Sequence, residues 1–317
     1  MNTKKTPVLL ITYNRADKTE ELINILIKNN IDNIFIYMDG PKDSSDLEGC
    51  EKNKKIIKKY TEKYSNIKTL YKDKNRGLTH SIPEAIDWIF NFFDRAIILE
   101  DDCVPSKEFF LFMEKMLIRY KSNTKIASVC GSNFLSTSNT SKESYFYSKY
   151  FNCWGWATWK DRWKNWHKLK ANLDNLNKIK NNKFLKSYLG SYRAHLYWHW
   201  ILNKKDTWDY FWNFTSFISQ KLHVTPKINL ISNTGIGLDS TNTKSYPVPY
   251  TPSNKIKSKF DLNLISPTHT IINHDFDNEV EDKIFSKSFQ NRLLWFFRKI
   301  FNINNKLKII SSMNKAK

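Results

Sequence analysis

The sequence predicts an α/β fold, a mostly parallel sheet flanked by helices. Three observations predict it. Short apolar runs at 7–13 (PVLLITY), 34–38 (IFIYM) and 96–99 (AIIL) are continuous rather than alternating, as strands covered on both faces must be. Stretches of helical periodicity separate them. Each run ends in polar or acidic residues, the usual position of ligand-facing loops in an open parallel sheet.

The elements follow in order. After the strand at 7–13, Asp17 and Glu20 stand in capping-box spacing ahead of Leu22, Ile25 and Leu26, which recur on one helical face. The strand at 34–38 ends in Asp39-Gly40-Pro41, and a Lys-rich helix is predicted over 52–64. A short strand near 67–71 leads to the loop Asn75-Arg76-Gly77-Leu78. A helix is predicted from about Ser81, with Pro83 suited to its first turn. The strand at 96–99 runs into Glu100-Asp101-Asp102, then a helix through Phe109, Phe110 and Met113, then a strand at 126–130. Beyond about residue 145 the texture becomes Trp-dense (CWGWATWKDRWKNW, YWHW, TWDYFW), which suggests helices and loops laid against the sheet. Residues 240–262 read as a loop, and the chain holds no internal repeats.

With 317 residues, 40% of them hydrophobic, the chain suits one large domain or two closely packed ones. Aromatics at 15%, including 11 Trp and 21 Phe, exclude low-hydrophobicity disorder for the body of the protein. The net charge of +20 would attract phosphates, anionic lipid or nucleic acid. The same Lys, Asn and Ile excess is also what an AT-rich genome writes onto neutral surface positions. Cys50, Cys103, Cys130 and Cys153 form no CxxC pair and no short metal spacing, which indicates a reducing compartment. The longest early apolar run, Val8 to Ile11, is too short for a signal sequence or a membrane span, so a cytoplasmic location is expected.

Three strand ends carry candidate chemistry: Asn14-Arg15, Asp39 and the Glu100-Asp101-Asp102 triplet. Consecutive carboxylates repel one another unless a cation or hydrogen-bond donors offset them. Mg²⁺ or Mn²⁺ held by one or two carboxylates and completed by substrate phosphates would do so. A solvated acidic turn or helix cap, with Pro105 near the start of the following helix, would also explain the triplet.

The succession LLITYNR, YMDG, NRGL and IILEDDCVPSKEFF resembles the nucleotide-sugar half of GT-A fold glycosyltransferases, whose sheet is Rossmann-like. It is similar to bacterial family 2-like sugar transferases and to the N-acetylglucosaminyltransferase I group. FNCWGWATWKDRW, DTWDYFW and VTPKINLISNTGIG then resemble, in order, the acceptor-side motifs of those bacterial enzymes, so the match spans roughly 7–270. The resemblance implies a nucleotide-sugar half at 1–145 and an acceptor-binding and catalytic half at 146–284, while the helical spacing of Phe289, Leu293 and Ile300 among Arg292, Arg298 and Lys299 predicts a basic amphipathic tail at 285–317. The resemblance also implies an inverting, metal-dependent transfer from a nucleoside diphosphate sugar, UDP-sugar first, to a glycan or lipid-linked glycan. In that scheme Asn14, Arg15 and Arg76 approach the nucleotide, Asp39 contacts base or ribose, and Glu100 and Asp101 hold the nucleoside side. Asp102 binds Mn²⁺ or Mg²⁺, and Asp209 is the general base.

Alternatives stay open at several of these positions. Asp206 lies one helical turn from Asp209 and could be the base or a helix cap. Arg76 reads equally as a surface residue in a Gly turn. Trp154, Trp156, Trp159 and Trp163 contain helix-like steps of a buried face, while Trp154-Gly155-Trp156 could wall an acceptor sugar. His269 could supply a metal-binding imidazole or be structural. The tail at 285–303 could lie on the inner membrane surface or pack onto the domain. The chain departs from the resembled pattern at Phe211, where those enzymes tend to carry Gln, and at Asn242, where they tend to carry His. A sugar-phosphate nucleotidyltransferase would need a Gly-rich basic loop after the first strand, yet no Gly precedes Gly40. A nucleic-acid-binding protein would suit the charge but not the acidic triplet.

Overall fold

The computed structural model describes residues 6–135, 142–171, 208–235 and 263–286. Asp206, Asn242, the 240–262 segment and nearly all of the 285–303 tail lie outside the described residues. An eight-stranded sheet forms the middle layer, in the order β3-β2-β1-β4-β8-β6-β9-β7. Its strands are β1 (Val8–Thr12), β2 (Ile34–Met38), β3 (Ile67–Tyr71), β4 (Arg95–Glu100), β6 (Ile126–Cys130), β7 (Tyr145–Ser148), β8 (Trp156–Trp159) and β9 (Leu222–Pro226). Strands β1 to β4, β6 and β9 point one way and β8 and β7 the other, so the sheet is mostly parallel. A separate two-stranded antiparallel ribbon joins β5 (Cys103–Pro105) to β10 (Ile231–Asn233).

The continuous apolar runs are explained by burial on both faces. Along β1, Val8 and Leu10 join a core with Leu22, Ile23 and Leu26 of α1 (Ala16–Lys28), Ile57 of α2 (Ser44–Lys63) and Phe112 of α4 (Phe109–Arg119). Leu9 and Ile11 point the other way, into a core with Ile82 and Ile86 of α3 (Leu78–Ile89), Trp163 of α5 (Lys160–Ala171) and Trp212 of α6 (Trp208–Ile218). Helix α7 (His274–Val280) is tied to β7, where Ser148 Oγ donates to Asp277 Oδ1 (2.5 Å) and Lys149 Nζ pairs with Glu281 (2.8 Å). Among the described residues no helix is long and apolar enough to cross a membrane.

Several local expectations are corrected. The residue capping α1 is Arg15, whose side chain makes no cap bond, and Asp17 lies inside the first turn. Glu20 instead accepts from Tyr60 Oη of α2 (3.1 Å). Helix α2 starts at Ser44, eight residues early, behind an Asp43 side chain that accepts from the Ser45 N–H. Gly49 obscures that start in the sequence and is needed there, because a Cβ would come within 2.8 Å of the Asn14 carbonyl. Helix α3 starts at Leu78, which puts Pro83 in its second turn. The residues after the acidic triplet form β5 rather than a helix, so neither Asp101 nor Asp102 is a helix cap.

The Trp-dense half does more than lie against the sheet. Strand β8 is inserted between β4 and β6, antiparallel to both. Trp156 on β8 meets Trp208 of α6 with rings 5.4 Å apart, while Trp163 stacks on Trp166 at 4.4 Å. Aromatic area of this kind, with its ring-to-ring contacts, holds α5 and α6 to the sheet.

Deeper in the sheet, His223 of β9 is fully buried with Nδ1 2.7 Å from Ser128 Oγ of β6, and burial lowers its pKa from 6.5 to about 3. Above the unfolded-state value neither state carries the proton, and the full stability is present. As pH falls from there toward 3, the unfolded chain takes up a proton that the folded chain refuses, so stability drops by about 1.4 kcal/mol per pH unit. Denaturant unfolding from about pH 7.5 to about pH 5 should therefore cost the wild type ~2 kcal/mol more than His223→Gln. Parallel pH profiles would show that His223 is not the titrating group.

Candidate active site

Sheet order reverses between β1 and β4: the chain passes from β1 outward to β2 and β3, then returns to β4 on the other side. A crevice opens at the carboxyl ends of strands at such a point. Arg15 follows β1 and the acidic triplet closes β4, so the two meet there. Asp39 and Arg76 follow β2 and β3 at the same edge, and Gly155 precedes the reversed β8, so it too lies at this end.

Glu100 is the last residue of β4, not a residue beyond it, and is half-buried. Burial pushes its pKa up to about 8, with the charges of Asp102, Asp101 and Asp209 acting the same way and Arg15 against them. Asp101 is 2% exposed, and its Oδ2 is buried without a hydrogen-bond partner. Burial raises it to about 6, while Arg15 and a backbone bond at Tyr13 hold it down. Arg15 reaches Asp101 Oδ1 with Nη2 and Asp102 Oδ2 with Nη1 (3.1 Å). Burial disfavours that guanidinium, but the two carboxylates outweigh it and hold its pKa above the ordinary value.

Asp102 is gripped from the second half of the chain. Its carbonyl accepts from the Thr234 N–H (2.8 Å), and Asn233 Nδ2 reaches its Oδ1 at 3.4 Å. Lys18 Nζ donates to the Thr234 carbonyl (2.8 Å). A Cβ on Gly235 would overlap Asp102 Oδ2, so only Gly lets this loop lie over the carboxylate. Asp209, in the first turn of α6, is half-buried and close enough for its charge to act on Glu100 and on the Cys153 thiol. The Asp209 carboxylate and Glu100 are thus within electrostatic reach of each other.

Other expected residues serve different ends. The Asp39 carboxylate, expected at a base or ribose, faces inward. It accepts from the N–H groups of Gly40 (3.0 Å) and Arg76 (3.0 Å) and from Ser81 Oγ (2.6 Å), which sets the 75–77 loop and the start of α3. Asn14 Nδ2 donates to Asp46 of α2 (2.9 Å) and so fixes the β1–α1 turn. The Arg76 side chain is 54% exposed and pairs with Glu84 at 3.8 Å. Trp156, 1% exposed, is enclosed by aromatic rings and presents no face to a ligand. Gly155 has φ +58 and abuts Ile231 of β10, so the close approach it permits is by the protein's own chain. Only Trp154 of that turn is half-buried, its ring 4.8 Å from Phe134. His269 is exposed on the segment beside β7, four strands from β4, and does not join the triplet.

Lys18 was not foreseen as a site residue, and Asn233, Thr234 and Gly235 were read only within the acceptor-side motif VTPKINLISNTGIG, not as partners of Asp102. Among the described residues no group of three or more His, Cys, Asp and Glu converges to hold a metal ion. Among the described residues the donor set offers no closed protein cage. It fits an ion taken by one or two carboxylates and completed by ligand oxygens, for which the orphaned Asp101 Oδ2 is a free hard donor.

No family model matches the chain, and no curated protein does. Among solved structures, 4-diphosphocytidyl-2C-methyl-D-erythritol synthase from Anaerococcus prevotii is similar over 50% of this chain and 71% of its own, with 15% identity and a TM-score of 0.31. A likeness of that extent carries no functional statement.

Asp39→Ala would strand three donors at once. It should destabilise the protein by about 2–3 kcal/mol and remove hydrogen-exchange protection from the Arg76 amide. Unchanged protection at that amide would refute the loop-setting role.

Proposed function

We propose that this protein is a metal-dependent glycosyltransferase that moves a sugar from a nucleoside diphosphate sugar, UDP-sugar first among them, to a glycan acceptor with inversion. The observation that carries the reading is that Asp209 lies within electrostatic reach of Glu100, in the acidic triplet at the reversal point of the sheet. The succession of motifs resembling GT-A enzymes supports it and selects the substrate class.

Asp102 and the free oxygen of Asp101 would hold Mn²⁺ or Mg²⁺. When bound, the ion would neutralise charge on the departing diphosphate. Asp209 would take the proton of the acceptor hydroxyl while the anomeric carbon is attacked from the opposite face. Arg76 would extend from the same edge toward the nucleotide. Trp154 is the aromatic of the 154–156 turn left for the acceptor side. Whether the acceptor is lipid-linked rests on the tail, outside the described residues.

Thermal unfolding against UDP, GDP, TDP and CMP, each with and without Mn²⁺, tests the donor class. A ligand at ~100 times Kd adds about 2.7 kcal/mol, a shift of several degrees. One nucleotide should stabilise the chain in a Mn²⁺-dependent way. Asp102→Asn should lose that shift, whereas Asp209→Asn should keep it and lose transfer. No shift with any nucleotide, or full transfer by both variants, would overturn the reading.

A further inference from the structure

The acidic triplet already has a cation beside it. Arg15 bridges Asp101 Oδ1 and Asp102 Oδ2, the two carboxylates best placed to receive a metal ion. We propose that Arg15 is an internal counter-cation occupying the metal position of the closed site, and that a divalent ion entering with a diphosphate must displace it. This rests on the reading of the triplet as a metal site.

Three observations carry the inference. The guanidinium fork covers one oxygen of each carboxylate and leaves Asp101 Oδ2 buried with no donor, a deficit that a hard cation would fill and a planar fork in this pose does not. Arg15 is also open to solvent on one side. Its side chain is 35% exposed and makes no cap bond to α1, although it occupies the N-cap position. The closed state is fastened from both sides, since Lys18 of α1 holds the Thr234 carbonyl while the Thr234 N–H holds the Asp102 carbonyl. Release of Arg15 would therefore act on the turn that carries both Arg15 and Lys18, and so on the loop at 233–235. Metal entry would in this way be coupled to opening of the loop over Asp102. An Arg freed from Asp102 would stand beside an incoming diphosphate, which suits its bidentate fork.

The test is Mn²⁺ binding to the full-length chain without nucleotide, read from the electron paramagnetic resonance of free Mn²⁺, together with thermal unfolding. Arg15→Gln should bind Mn²⁺ at least tenfold more tightly than wild type. It should melt lower without metal and gain more from Mn²⁺ than wild type does, because the ion replaces the missing counter-charge. Arg15→Lys keeps a charge but loses the fork, so it should fall between the two and serves if the Gln variant does not fold. Equal or weaker Mn²⁺ binding by the Arg15 variants, with wild type binding and Asp102→Asn not, would overturn the counter-cation role and leave the metal site standing. Absence of Mn²⁺ binding in every form, with or without UDP, would overturn both.

Discussion

Carboxylates delivered to the end of a strand buried on both faces are the constraint around which this site is built. Strand β4 is covered along Ala96–Leu99, so its terminal Glu100 and the adjoining Asp101 arrive where little water can solvate their charge. The Arg15 fork on Asp101 and Asp102 answers part of that cost, and Asn233 Nδ2 reaches Asp102 Oδ1 at 3.4 Å. Unpaired buried charge is among the most destabilising things a fold can carry. Burial holds the Glu100 and Asp101 carboxyls above the usual carboxylate range even with Arg15 beside them.

The second half of the chain serves the same place from further away. Inserting β8 between β4 and β6 sets the Gly155 turn at the carboxyl edge, and the Gly131 N–H bonds its carbonyl at 2.7 Å. The Trp cluster binds α6 across the sheet, which is what brings Asp209 within electrostatic reach of Glu100. Packing and chemistry are therefore linked: Trp156 and Trp212 act on the site by holding the helix that carries the proposed base, not by touching a ligand.

Legibility in the sequence differed by kind of element. Strands β1, β2 and β4 were readable because burial on both faces leaves an uninterrupted apolar run, and that pattern is local, whereas edge strand β3 has one buried residue and β6 carries Ser128. Helix starts were misread where the decisive residue acts through space: Gly49 yields to Asn14, and Arg15 is drawn to carboxylates instead of capping its helix. Strand β8 was missed because four residues of WATW between two Trp-rich stretches carry no period that separates strand from helix. In the site, the acidic triplet and Asp209 were legible as residue types at strand and helix ends. The inward turn of Asp39 and the enclosure of Trp156 were not, since both depend on partners distant in sequence.

By itself, then, the sequence determined the α/β class, the order of the first strands and the positions of acidic residues at the ends of apolar runs, all consequences of local pattern and burial. Tertiary structure alone decided that β8 enters the sheet, that Gly235 lies over Asp102, and that Arg15 bridges Asp101 and Asp102. Those outcomes join residues from 15 to 235 through charge and steric contact at a single point, and such joining leaves no periodic trace along the chain.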